Sequence, residues 1–136
     1  MWPFSKKAGQ RQPAEISRDG LTARFDPEIR HWIFQCEGIQ FWLSDIPFDE
    51  HAFAWARETV PVIKRLEIPI RDRVIECLKE WDDVDVQSAE LLCVDLDDYA
   101  ENKAMDLAYI GGDSWGDLEI NIIITDGQIT DAYGGD

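Results

Sequence analysis

The feature that most restricts the fold is a mirrored alternation about Glu37-Gly38: Trp32, Phe34 and Cys36 alternate up to it, and Ile39, Phe41 and Leu43 alternate away from it. A two-residue turn at that point pairs 36 with 39, 34 with 41 and 32 with 43. All six side chains then share one face of an antiparallel hairpin, because side chains on a strand alternate with period two. That face belongs to a core. The opposite face carries His31, Gln35, Gln40 and Ser44 together with Ile33 and Trp42, so either a second layer covers it or it is a contact surface.

Two helices are expected next. Asp49 is placed to cap the first, whose apolar stripe is Ala52, Phe53, Ala56, Val60 and Ile63, and Pro61 should kink or end it near Val60. The second should open at Pro69 and carry Ile70, Val74, Ile75, Leu78 and Trp81 on one side. Four strands should follow as a meander. Leu92, Val94 and Leu96 alternate with Cys93, Asp95 and Asp97; Met105, Leu107 and Tyr109 alternate with Asp106 and Ala108. Leu118 to Thr125 is a β-prone run, and Asp126-Gly127 turns it into the stretch from Ile129 to Tyr133. Residues 1–24, with Pro3, Gly9, Pro13, Gly20 and five Lys/Arg against two acids, read as a flexible N-terminal tail. Its opening Met1-Trp2-Pro3-Phe4-Ser5-Lys6-Lys7 suits at most a weak interfacial anchor. The expectation is one α+β domain over residues 25–136: a largely antiparallel sheet of about six strands with two helices packed on one face.

Charge is segregated along the chain. Residues 1–79 hold 12 Lys/Arg and 12 Asp/Glu, whereas residues 80–136 hold one Lys and 16 Asp/Glu, so the whole formal charge of −15 resides in the C-terminal part. A field of that sign repels nucleic acid and anionic membrane and attracts cationic partners. No apolar run is long enough to cross a bilayer and no signal-type h-region follows the first lysines, which gives the expectation of a cytoplasmic protein without stable membrane association. Cys36, Cys77 and Cys93 are widely spaced, form no CxxC, and read as reduced, mostly core-facing thiols.

Signatures of covalent chemistry are missing. His31 and His51 sit in no metal-binding spacing, Ser114 lacks a GxSxG frame, and the glycine pairs lead into no GxGxxG or Walker pattern. An EF-hand begun at Asp95 fails, with Tyr99 at the fifth position, Ala100 where glycine is required and Asp106 where a bidentate Glu is expected. A looser calcium site from Asp113, Asp117 and Glu119, or from Asp113 with Asp136, stays open as an alternative. So does a two-carboxylate hydrolase, for which Asp131, between apolar strand positions, is the one candidate acid. No cofactor is implied.

What the residues favour is a binding surface. Trp115 between Asp113 and Asp117 has the composition of an aromatic anchor ringed by acids, suited to a basic protein, unless the indole folds back onto the sheet. Asp82, Asp83 and Asp85, placed in a loop after the second helix, and Asp95, Asp97 and Asp98 would supply steering. Trp42 with Ile33 offers a further patch, which as a subunit contact would predict a homo-oligomer.

The run Asp113-Ser114-Trp115-Gly116-Asp117-Leu118-Glu119-Ile120, then Ile124-Thr125-Asp126-Gly127 and Ala132-Tyr133-Gly134-Gly135-Asp136, resembles the C-terminal end of small bacterial domains of unknown function. Some of these resemble the immunity proteins of polymorphic toxin systems. The resemblance covers the last third to half of the chain and implies a bacterial cytoplasmic α+β domain, with toxin neutralisation as one role; it carries no catalytic motif. Together with the acidic surface, the expectation is a non-enzymatic acidic protein-binding domain, one form of which is an immunity-type inhibitor that masks a basic partner.

Overall fold

Three X-Gly steps set the local topology. Asp19-Gly20, Glu37-Gly38 and Asp126-Gly127 each take positive φ at both residues (52° and 84°, 51° and 82°, 51° and 80°). This is the geometry of the tight hairpin turn whose twist matches that of its flanking strands. The structure, a computed structural model, describes residues 14–135. Its strands are β1 (Glu15–Arg18), β2 (Leu21–Asp26), β3 (His31–Cys36), β4 (Ile39–Leu43), β5 (Glu90–Asp95), β6 (Ala104–Ile110), β7 (Glu119–Thr125) and β8 (Gln128–Gly135). The helices are α1 (His51–Arg65), α2 (Glu67–Leu78) and the single turn α3 (Tyr99–Asn102). The fold is α+β: one sheet in the order β1 to β8, antiparallel at every step except between β4 and β5. That single parallel step follows from α1 and α2, since a crossover returns the chain in its original direction.

The hairpin registers as its alternation requires, with Trp32 opposite Leu43, Phe34 opposite Phe41 and Cys36 opposite Ile39. Its apolar face is the centre of the core. The Phe34 ring lies 5.5 Å from Phe41, 5.0 Å from Phe53 of α1 and 6.1 Å from Phe48. Farther along the sheet, Ile120, Ile122 and Ile124 of β7 are fully buried, and Ile70, Val74 and Leu78 of α2 join the same cluster.

Among the described residues the sheet has eight strands rather than about six, and there is a third helix. Residues 15–24, expected in the tail, form β1 and most of β2. Ile16, Leu21, Ala23 and Phe25 point to the core side, where they join or pack against the buried cluster, and Asp19-Gly20 closes their turn. The N-terminal segment up to residue 13, including the Met1–Lys7 anchor, lies outside the described residues, as does Asp136. Helix α1 runs through Pro61 to Arg65 without ending at Val60. Pro61 is on the exposed side, so the carbonyl it leaves without an intrahelical donor, that of exposed Arg57, faces water. Helix α2 starts at Glu67, before Pro69, whose missing N–H falls in the first turn where no intrahelical acceptor exists. None of the helices among the described residues is long and apolar enough to cross a membrane.

Candidate functional site

Both long helices bury their apolar stripes on one side of the sheet, which among the described residues leaves the other side open. Period-two alternation sends to this open face His31 from β3, Trp42 from β4, Cys93 and Asp95 from β5, Asp106 and Ala108 from β6, Glu119, Asn121 and Ile123 from β7, and Tyr133 from β8. The alternation breaks twice, once on β8, where Ile123 pairs with Asp131 but Ile124 with Ile129, and once on β5. A bulge between Leu91 and Cys93 places Leu92 beside Cys93 on the open face, contrary to the expected core position of Leu92, while Leu91 faces the helices. The carbonyl of Leu92 accepts a hydrogen bond from Gln40 Nε2 at 3.3 Å.

Asp95 occupies the middle of this face. Its register partners are Trp42 on one side and Asp106 on the other, so two carboxylates oppose each other directly across an antiparallel pair. Each has one oxygen held by a donor: Asp95 Oδ1 accepts the Asp97 N–H at 2.8 Å, and Asp106 Oδ1 accepts Asn121 Nδ2 at 2.9 Å. A shallow cavity of about 210 Å³ lies on one side of the pair, lined by His31, Trp42, Leu92, Cys93, Ala108, Glu119 and Asn121. A second, of about 360 Å³, lies on the other, with Asp97, Asp98, Ile123 and Tyr133. Among the described residues, neither lining contains a Lys or Arg.

The electrostatics follow from that opposition of carboxylates. Burial, assisted by the Asp97 charge, pushes the Asp95 carboxyl up to about 6, against the lowering effects of the Asp97 N–H and of His31. Asp106 is raised as well, chiefly by burial, with its Asn121 hydrogen bond opposing. Burial and then the neighbouring Asp95, Glu119 and Asp106 charges push the Cys93 thiol up to about 12, so it stays protonated and unreactive at neutral pH. The face disfavours further negative charge and favours positive charge.

His31 is oriented by Ile29, whose carbonyl oxygen lies 2.7 Å from Nδ1, and its Nε2 faces Asp95 Oδ2 at 3.9 Å. The His31 ring lies against Trp42, with centroids 5.3 Å apart. The Trp42 indole nitrogen is itself buried with no hydrogen-bond partner among the described residues. His31, Asp95 and Asp97 bring one ligand atom each within 4.8 Å of one another, a set able to meet a divalent ion. Both Asp97 oxygens, however, already accept from Ser44, from its N–H at 2.7 Å and its Oγ at 2.8 Å.

Trp115 is not an exposed anchor. It is 4 % exposed, packs into the core cluster, and donates from Nε1 to the Asp85 carbonyl at 2.9 Å. The indole folds back because the loop offers that carbonyl as a partner for its N–H. The 113–117 loop and the Asp82/Asp83/Asp85 segment are tied together here, since the Asp85 N–H also donates to Ser114 Oγ at 2.8 Å and Gly112 N–H to Ser88 Oγ at 3.0 Å. Asp82, Asp83, Asp113 and Asp117 remain exposed around a buried tryptophan. Asp131 is exposed on the outermost strand, so the carboxyl in an apolar setting is Asp95 instead. Of the sequence candidates, the fold brings together Asp95, Asp97, Asp98 and Trp42, and it adds His31, Asp106, Glu119, Asn121 and Tyr133. The signal for Asp106 was present: closing the two strands through the 98–102 turn sets 95 against 106. No protein-family model matches the chain, and no curated protein or solved structure matches it either.

Proposed function

We propose that this protein is a non-enzymatic acidic binding domain whose open sheet face covers a cationic surface on a protein partner, the role an immunity-type inhibitor plays toward a basic toxin. The observation that carries this reading is the Asp95–Asp106 opposition. Two half-buried carboxylates face each other with no Lys or Arg among the described residues that line either adjoining cavity. Such a pair destabilises the free protein and is relieved when a partner supplies the missing positive charge. Trp42 and Tyr133 at the margins provide aromatic contact area, and the surrounding acids steer the encounter.

Calorimetric titration of the full chain with a mixed Lys/Arg peptide tests this. Binding is expected at low salt and should disappear at roughly 0.5 M NaCl, where the screening length falls below about 5 Å. Asp95→Asn and Asp106→Asn should each weaken it about tenfold, as expected for losing a partly desolvated charge contact. Absence of binding at low salt, or affinity unchanged in both variants, overturns the proposal.

A further inference from the structure

The smaller cavity points to a more specific occupant. Its volume, about 210 Å³, is below the roughly 300–1,000 Å³ of small-molecule pockets and suits one long side chain. Its lining combines apolar surface from Leu92, Cys93 and Ala108, the Trp42 ring, the His31 imidazole, and the carboxylates of Asp95, Asp106 and Glu119. A side chain with both an apolar stem and a cationic head finds a partner for each in this lining, which narrows the choice to lysine or arginine.

The arrangement of acceptors separates the two. Asp95 Oδ1 and Asp106 Oδ1 are held by Asp97 N–H and Asn121 Nδ2, which leaves the other oxygen of each carboxylate without a hydrogen bond among the described residues, Asp95 Oδ2 lying 3.9 Å from His31 Nε2. The same Asn121 bond commits that amide's nitrogen to Asp106 and leaves its oxygen as a third acceptor. Several fixed acceptors beside an aromatic ring fit a planar head with five donors better than a compact ammonium, which is strongly hydrated and cannot stack. We infer that this cavity is an arginine-reading pocket, in which a partner's guanidinium spans Asp95 and Asp106 and lies along Trp42. The inference rests on the binding role proposed above and assigns that role's specificity to one side chain.

Two peptides of equal length and equal charge, one with Arg and one with Lys at every basic position, test it by calorimetry on the full chain at low salt. The Arg peptide should bind about tenfold more tightly, and Asp106→Asn and Asn121→Ala should bring the ratio close to one. Arginine amide added alone should shift the Trp42 indole and Asn121 side-chain NMR signals, which reports on the pocket even where a variant folds poorly. Equal affinity for the two peptides, with both lost in Asp95→Asn, overturns the arginine pocket while leaving the acidic face standing. If neither peptide binds, both proposals fall. A ratio that survives Asp106→Asn and Asn121→Ala places the discrimination elsewhere and overturns the pocket. Tight binding of zinc alone that is lost in His31→Ala would make His31, Asp95 and Asp97 a metal centre and overturn it as well.

Discussion

The two faces of the sheet are made from the same strands by the same alternation, yet they solve opposite problems. On the covered face, Phe34, Phe41, Leu107, Ile120 and Ile122 are sealed beneath or beside α1 and α2, and each neighbour supports the next. On the open face the residues one position along, His31, Trp42, Asp95, Asp106 and Asn121, are only partly buried, and the central carboxylates oppose one another. Burial on the first face lowers the free energy of the fold, whereas partial burial on the second raises it by desolvating like charges. A chain that keeps such a frustrated face on a well-packed sheet has stability on one side to offset the cost of binding readiness on the other.

The largest effect should separate the faces by energy. Phe34 is 2 % exposed and touches three other aromatic rings, so Phe34→Ala should cost about 3–5 kcal/mol in urea unfolding. Trp42→Ala removes a larger ring from the open face, where less surface is lost from burial, and should cost less than half as much while abolishing peptide binding. Equal costs would break the comparison, because the open face would then be structural. A somewhat smaller effect is expected at Gly111, where an added β-carbon would fall inside the Trp115 indole. Gly111→Ala should destabilise by about 1–3 kcal/mol and shift tryptophan emission to the red, yet leave affinity for the cationic peptide unchanged. A loss of affinity would return Trp115 to the binding site.

Legibility in the sequence followed the strength of the local code. The hairpin about Glu37-Gly38 was readable to the residue, because six apolar positions and one turn agree on a single register. The β1–β2 hairpin was not, although Asp19-Gly20 carries the same turn chemistry. Its strands are short and charged at Glu15, Arg18 and Arg24, and the hairpin joins the sheet only through the pairing of β2 with β3. Helix α1 passed through Pro61 since an exposed proline gives up its hydrogen bond to water, something periodicity alone does not reveal. The acids were visible as a surplus, but which of them converge depended on register across the sheet. Asp95 and Asp106 are eleven positions apart and meet only because α3 closes that loop, while Trp115, the conspicuous aromatic among acids, found a carbonyl to bond and turned inward.

The smallest effect sharpens the comparison through pH. An Asp carboxyl near 3.8 in the unfolded chain is raised to about 6 at Asp95, mainly by burial, so the folded state holds this proton more tightly. Its contribution to stability is therefore fully present below about pH 3.8, and it is lost as pH rises through about 6. Above that, the folded protein carries a half-buried charge opposite Asp106. Asp95→Asn keeps an acceptor for the Asp97 N–H and removes the charge, so it should raise the melting temperature at pH 8 and lose that advantage toward pH 4. With 33 % of the side chain in water, the gain is on the order of 1 kcal/mol, a few degrees in a chain of this size. Saturating the wild-type chain with the arginine peptide should flatten the same pH dependence, because a guanidinium at Asp95 and Asp106 replaces the proton as the compensating charge. A melting profile in which Asp95→Asn behaves like wild type at every pH would show that water reaches Asp95 freely, and the open face would then carry no stored frustration for a partner to relieve.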